Sequence, residues 1–98
     1  MAFIQLIDYR TTDPAAVGRI LTEWIANTEG VRTARRTRVC VDRKDPTHYM
    51  EIVEFDSAED ADRNSRLAQT ESIYAAFQPL CTDGPRFIDL DVTRDEQL

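Results

Sequence analysis

Histidine, cysteine and glycine are scarce in this chain, and each scarcity excludes a kind of chemistry. The 98 residues contain one histidine, two cysteines and three glycines. A single histidine with no CxxC pair does not supply the usual ligands of a zinc site. The isolated glycines Gly18, Gly30 and Gly84 form no phosphate-binding loop, and there is no GxSxG motif. We therefore predict no metal, no cofactor, no nucleotide site of the common kinds and no serine hydrolase.

Long hydrophobic runs and excess positive charge are missing too. No apolar stretch approaches the roughly 18 residues of a membrane helix, and residues 1–5 lack the basic region of a secretory signal. The net charge is −6, which disfavours contact with phosphates. We therefore expect a cytoplasmic protein that binds neither membranes nor nucleic acid, with Cys40 and Cys81 as buried, reduced thiols.

The chain contains an ordered series of periodicities. Four segments alternate in the manner of strands: 3–9, 31–42, 48–55 and 86–93. Residues 14–28 follow helical spacing, and a second helical stretch begins at Ser57 and breaks around Gln69. The order predicts an α+β fold, a ferredoxin-like β-α-β-β-α-β domain with an antiparallel sheet that spans residues 1–98.

The first predicted strand is apolar on both faces, although the chain has helices for only one. Right-handed crossovers would place both helical segments on the same side of the sheet. We expect the uncovered face to carry Phe3, Ile7, Tyr9 and Phe87, which is a large apolar patch for a monomer. A second subunit is the simplest cover, so we predict a homodimer with its sheets packed face to face.

Five side chains are candidates for a functional site. His48 is the first choice as a general acid or base, because its ordinary pKa lies near neutrality. Asn64, Tyr9 and Tyr74 could donate or accept hydrogen bonds in a cleft, and Arg35 could bind an anionic substrate. Each has a structural alternative: a half-exposed histidine after a turn, a helix-ending asparagine, and core tyrosines with wet tips.

Arg35 stands apart from the other arginines of its predicted strand. It shares a face with valines and threonines, and an inward arginine usually meets a carboxylate. We expect Asp89 or Asp91 to be that partner if Arg35 does not bind a substrate.

Residues 48–61, 64–65 and 87–92 resemble the dimeric α+β barrel superfamily. That superfamily includes antibiotic biosynthesis monooxygenases and stress-responsive barrel proteins, and this chain is most similar to its small uncharacterised members. The resemblance implies a dimeric barrel with a cleft between sheet and helices in each subunit. Monooxygenase members oxidise aromatic polyketides without metal or flavin. Haem-degrading relatives use an Asn, a Trp and a His, a triple that Trp24 and His48 do not match.

Two functions follow as hypotheses. One is a cofactor-independent, monooxygenase-like enzyme that acts on a small hydrophobic or aromatic molecule in the sheet–helix cleft. The other is a non-catalytic dimer that binds a small molecule or a protein partner.

Overall fold

The computed structural model describes residues 2–98, and its elements follow the ferredoxin-like order. Along the chain they are β1 (Phe3–Arg10), α1 (Pro14–Asn27), β2 (Arg36–Asp42), β3 (Asp45–Phe55), α2 (Ala58–Ser65), α3 (Ala68–Phe77), a 3-10 helix (Gln78–Leu80) and β4 (Asp83–Asp91). The strands form one antiparallel sheet in the order β2-β3-β1-β4. Across residues 2–98, no helix has the length and apolarity needed to cross a membrane. The predicted fold class is confirmed.

Three of the four strands begin at residues other than those predicted. β2 begins at Arg36 rather than at residue 31, because the backbone N–H groups of Val31 and Arg32 donate to the Thr28 carbonyl, 3.0 and 2.9 Å away. β3 begins at Asp45 rather than at residue 48. β4 spans Asp83–Asp91 rather than residues 86–93. Alternation of side chains therefore located all four strands, but it gave the correct first residue only for β1.

Side-chain caps start α1 and α2. The Asp13 carboxylate accepts the N–H of Ala16, and the Ser57 hydroxyl accepts the N–H of Asp60, both at 3.1 Å. Each cap satisfies a donor that has no partner inside the helix. The break between α2 and α3 lies at Leu67, two residues before the predicted position, because the Leu67 carbonyl already accepts the first hydrogen bonds of α3.

The helices cover the sheet face that carries Phe3, Ile7 and Tyr9, which corrects our expectation that this face is open. Strand pairing puts Phe87 beside Ile7 on that face, and the Tyr9 ring meets Phe77 of α3 edge-on with the centroids 4.9 Å apart. Alternation shows which residues share a face, but it does not say which face the helices cover. Here the large aromatic side chains fill the space between sheet and helices.

The opposite sheet face is the uncovered one, and its apolar residues are aliphatic: Ile4, Leu6, Met50, Ile52, Ile88 and Leu90. We call this set the open face. Ile88 and Leu90 on β4 are 40% and 42% exposed. Cys40 shares this side of the sheet and is exposed, and Cys81 is only partly buried, so the prediction of two buried thiols is wrong, although both cysteines are free.

Candidate functional site: a cavity between the sheet and the helices

A cavity of about 130 Å³ lies between the helix-covered face of the sheet and the three α-helices. Its lining is mainly apolar and aromatic, and includes Val17, Leu21, Trp24, Phe55, Phe77 and Phe87. An engineered apolar cavity of about 150 Å³ stays dry and binds benzene. A space of this size and lining therefore suits one aromatic ring.

Trp24 and Thr70 form part of the helical wall. Trp24 is the only tryptophan in the chain and is 8% exposed. Its indole N–H donates to the Thr70 hydroxyl at 3.0 Å, which links α1 to α3 and satisfies a buried donor. The bond holds the ring against the cavity in a single orientation.

The cavity meets solvent beside Tyr74 and Phe87, two lining residues that are 37% and 44% exposed. Their ring centroids are 5.5 Å apart, with the ring planes tilted by 46°. Tyr74 comes from α3 and Phe87 from β4, so an opening here lies between a helix and an edge strand.

Glu51 is the one acidic or basic residue of the described lining. It projects from β3 onto the helix-covered face, and its Oε2 accepts a hydrogen bond from the Thr37 hydroxyl at 2.5 Å. Burial raises the pKa of the Glu51 carboxyl above its ordinary value, and the bond from Thr37 opposes that rise. The site thus holds an acid whose charged form is poorly solvated.

Asn64, one of the sequence candidates, lies on α2 where this helix reaches the cavity. It is 7% exposed, and its side-chain oxygen accepts the backbone N–H of Thr33 at 3.2 Å. The same threonine donates its hydroxyl to the carbonyl of Asp60, at 2.5 Å. Asn64 therefore anchors the segment before β2 as well as lining the cavity.

Tyr74 is a second sequence candidate that lines the cavity, whereas Tyr9 does not. Tyr9 is 2% exposed, stacks on Tyr49 at 5.8 Å between centroids and packs against Phe77. Burial is the main cause of the raised pKa of the Tyr9 phenol. Tyr9 is on the correct sheet face but belongs to the core.

His48 lies on the other side of the sheet, away from the cavity. Its Nε2 is 2.7 Å from Asp8 Oδ1 and its Nδ1 is 3.2 Å from Asp42 Oδ2. These two hydrogen bonds, the one to Asp8 first, raise the pKa of the imidazole above its ordinary value. Arg86 donates to the second oxygen of Asp8 at 2.6 Å, which completes an ionic cluster. Side chains alternate along β3, so Glu51 faces the cavity and His48 faces the other way. The prediction that His48 belongs to the site is therefore wrong.

Arg35 is also outside the cavity. It precedes β2, its side chain is largely exposed, and it donates to Asp56 at 2.9 Å instead of meeting Asp89 or Asp91. Asp89 and Asp91 lie on β4, and the strand order β2-β3-β1-β4 places two strands between Arg35 and that edge of the sheet.

Glu51 and Thr37 are the site residues that the sequence candidates omitted. Alternation along β3 already puts Glu51 on the face of Val53 and Phe55 and puts Glu54 on the other. A lone acid in the apolar row of a strand was the available signal. Nothing in the sequence indicated that Thr37 on a neighbouring strand would be its partner.

Among residues 2–98, no three His, Cys, Asp or Glu side chains lie close enough together to hold a metal ion. The cavity instead offers a carboxylate, hydroxyls and amides in an apolar setting. Such a site can bind an uncharged ring and orient it through one or two hydrogen bonds.

No protein-family model and no curated protein matches the chain. Solved structures do. SnoaB, a cofactor-independent oxygenase from Streptomyces nogalater, superposes with a TM-score of 0.80 at 12% identity, covering 96% of this chain and 95% of that one. An antibiotic biosynthesis monooxygenase has a TM-score of 0.75 at 16% identity, with 96% and 100% covered. A conserved protein from Methanosarcina mazei Go1 has a TM-score of 0.80 at 10% identity, with 92% and 91% covered.

The chain therefore has the fold of the antibiotic biosynthesis monooxygenase structures, which is the fold that the resemblance implied. At these identities the likeness concerns the fold alone, because one fold can host many different chemistries.

Proposed function

We propose that this protein is a cofactor-independent, monooxygenase-like enzyme that acts on a small aromatic molecule bound between sheet and helices. The observation that carries the proposal is the cavity, about 130 Å³ and lined largely by aromatic and aliphatic side chains. The structural likeness to a cofactor-independent oxygenase supports the reaction class by analogy.

An oxygenation without a cofactor requires the protein to bind and orient its substrate, and an apolar cavity suits that task. When a substrate CH₂ group becomes a carbonyl, O₂ delivers one oxygen atom to the carbon and the other leaves as water with the two hydrogens. The substrate supplies all the electrons, so the protein has to bind it, orient it and exclude water. A mainly apolar cavity between sheet and helices favours all three.

The test is oxygen consumption by chelator-treated protein with one- and two-ring aromatic ketones that carry an activated CH₂ group, such as 2-indanone. Binding is followed in parallel through the fluorescence of Trp24, which lines the cavity. Val17→Phe fills the cavity from α1, and Ala15→Phe adds the same side chain at an exposed position of that helix.

Binding and oxygen uptake by the native protein and Ala15→Phe, with loss of both in Val17→Phe, would support the enzyme. Binding that Val17→Phe abolishes, with no oxygen uptake by any form, would favour the non-catalytic alternative. Binding unaffected by Val17→Phe would remove the cavity from the function altogether.

We further propose that two copies associate through the open face. The aliphatic residues of this face lie on all three of β1, β3 and β4, and they are flanked by charged residues such as Arg38 and Glu54. An apolar centre with a polar rim is the arrangement of a protein interface. The helices then remain outside, and each subunit keeps its own cavity.

A further inference from the structure

Glu51 is placed where a purely structural carboxylate is unfavourable. It faces a mainly apolar cavity, and no arginine or lysine of residues 2–98 forms an ion pair with it. Glu54, the other glutamate of β3, does have cationic partners. Its Oε2 lies 4.0 Å from the guanidinium of Arg36 and 3.7 Å from that of Arg38. A carboxylate removed from water without a cation is costly unless other groups hydrogen-bond to it.

The single hydrogen bond to Glu51 leaves most of its acceptor capacity unused. A carboxylate offers about four lone-pair sites, and the Thr37 hydroxyl uses one of them, on Oε2. The strand register sets the apolar Ile7 of β1 and Val39 of β2 on either side of Glu51. Within residues 2–98, no second donor reaches the Glu51 carboxylate.

The surroundings select which molecule could supply the missing donor. The aromatic lining, with Trp24, Phe55 and Phe77, suits a ring. A negatively charged ligand would be repelled by Glu51, and a ring without a donor would leave the carboxylate under-solvated. An uncharged ring with one hydroxyl or N–H group satisfies both conditions.

We propose that Glu51 determines the specificity of the cavity by accepting, on Oε1, a hydrogen bond from the hydroxyl or N–H group of an uncharged aromatic ligand. Thr37 positions the carboxylate through Oε2 and keeps its other oxygen directed to the ligand. The inference rests on the proposed function, because it concerns the ligand of that same cavity. The raised pKa of Glu51 agrees with this role, since a donor from the ligand would stabilise the charged form.

The test compares two probes of nearly equal shape, p-cresol and p-xylene, which differ by a hydroxyl in place of a methyl group. Dissociation constants are measured by isothermal titration calorimetry for the native protein, Glu51→Met and the matched control Glu54→Met. Methionine keeps an unbranched chain of similar length but removes the acceptor, and Glu54 lies on the other face of the sheet.

The expected result is a change in the ratio of the two dissociation constants. A hydrogen bond to a charged group corresponds to roughly a ten- to hundredfold preference for the donor ligand. Glu51→Met should lose about that factor in its preference for p-cresol, while Glu54→Met keeps it. Glu51→Gln, whose amide is a neutral acceptor, should fall between them and serves as the reference if Glu51→Met does not fold.

Two results would overturn the inference, and they differ in what they say about the cavity. If both probes bind and Val17→Phe abolishes their binding, but Glu51→Met leaves their ratio unchanged, the cavity holds aromatic molecules and only the role of Glu51 is wrong. If neither probe binds the native protein, the proposed aromatic site and the role of Glu51 both fall.

Discussion

The indole N–H of Trp24 donates to the hydroxyl of Thr70 at 3.0 Å, and this bond joins the first and third helices at the wall of the cavity. Replacing Thr70 by valine keeps the shape and removes the acceptor from a buried donor. We expect a loss of about 1–3 kcal/mol in the free energy of unfolding. Urea denaturation followed by the fluorescence of the same tryptophan measures it.

The control for Thr70→Val is Thr22→Val on α1. Thr22 is exposed, and its hydroxyl donates only to the Gly18 carbonyl of its own helix, at 3.0 Å. Its replacement should change the stability by less than about 0.5 kcal/mol, as is usual for surface substitutions. Equal losses in the two variants would mean that the link between the helices contributes nothing.

Gly84 and Gly18 should respond to alanine in opposite directions. Gly84 has φ +81°, and an added Cβ would lie 2.7 Å from the backbone oxygen of Asp8. The strain should lower stability by about 1–3 kcal/mol. Gly18 is helical with open space around the added atom, so Gly18→Ala should stabilise by about 0.5–1 kcal/mol. Thermal denaturation of both variants tests the pair, and a stabilised Gly84→Ala would contradict the geometry.

His48 should make stability fall as pH rises above neutrality. Its pKa is raised by Asp8 first and then by Asp42, so its contribution is fully present below the ordinary value of 6.5 and is lost as pH rises through the folded-state pKa. The pKa values of both aspartates are lowered, so they stay charged throughout that range. The difference in melting temperature between the native protein and His48→Gln should therefore shrink from about pH 6 to about pH 8.

The repeat of that measurement with Asp8→Asn locates the cause. Asp8 also accepts from Arg86, so this variant loses stability at every pH. It should also lose the larger part of the pH dependence, while the bond to Asp42 keeps the smaller part. A dependence that survives in both variants would have to arise from other groups.

Glu51→Gln should stabilise the protein at neutral pH. Burial raises the pKa of Glu51 above its ordinary value of about 4.3. The protonated form of Glu51 therefore favours the folded state below that value, and this contribution to stability is lost as pH rises through the folded-state pKa. Glutamine has no charge to desolvate and still accepts from Thr37. Its advantage should be present at pH 7 and shrink towards pH 4, as differential scanning calorimetry would show. A less stable Glu51→Gln at pH 7 would mean that the carboxylate is not penalised.

Ile88→Lys should abolish the proposed dimer. Ile88 is 40% exposed on the open face, and a lysine there would bring a charge into an apolar interface. Light scattering coupled to size-exclusion chromatography should give about twice 11.3 kDa for the native chain and 11.3 kDa for the variant. Val41→Lys is the control, since Val41 is 50% exposed on the other side of the sheet. A native monomer would refute the association.

Short-range sequence patterns were sufficient to predict the helices and strands and their order along the chain. Alternation separates Phe3 and Ile7 from Ile4 and Leu6, and Asp13 and Ser57 mark helix starts through hydrogen bonds that span three residues. These features depend on short stretches of chain, so the sequence by itself determined the ferredoxin-like arrangement.

The tertiary structure alone decided which sheet face the helices cover, and with it the membership of the site. The same alternation is compatible with either choice, and that choice brings Glu51 inside while it leaves His48 with Asp8 on the outside. The partner of Arg35, the pairing of Thr37 with Glu51 and the link from Trp24 to Thr70 likewise join residues far apart in the chain. Long-range contacts of this kind follow from the packing of helices on the sheet, which no local periodicity records.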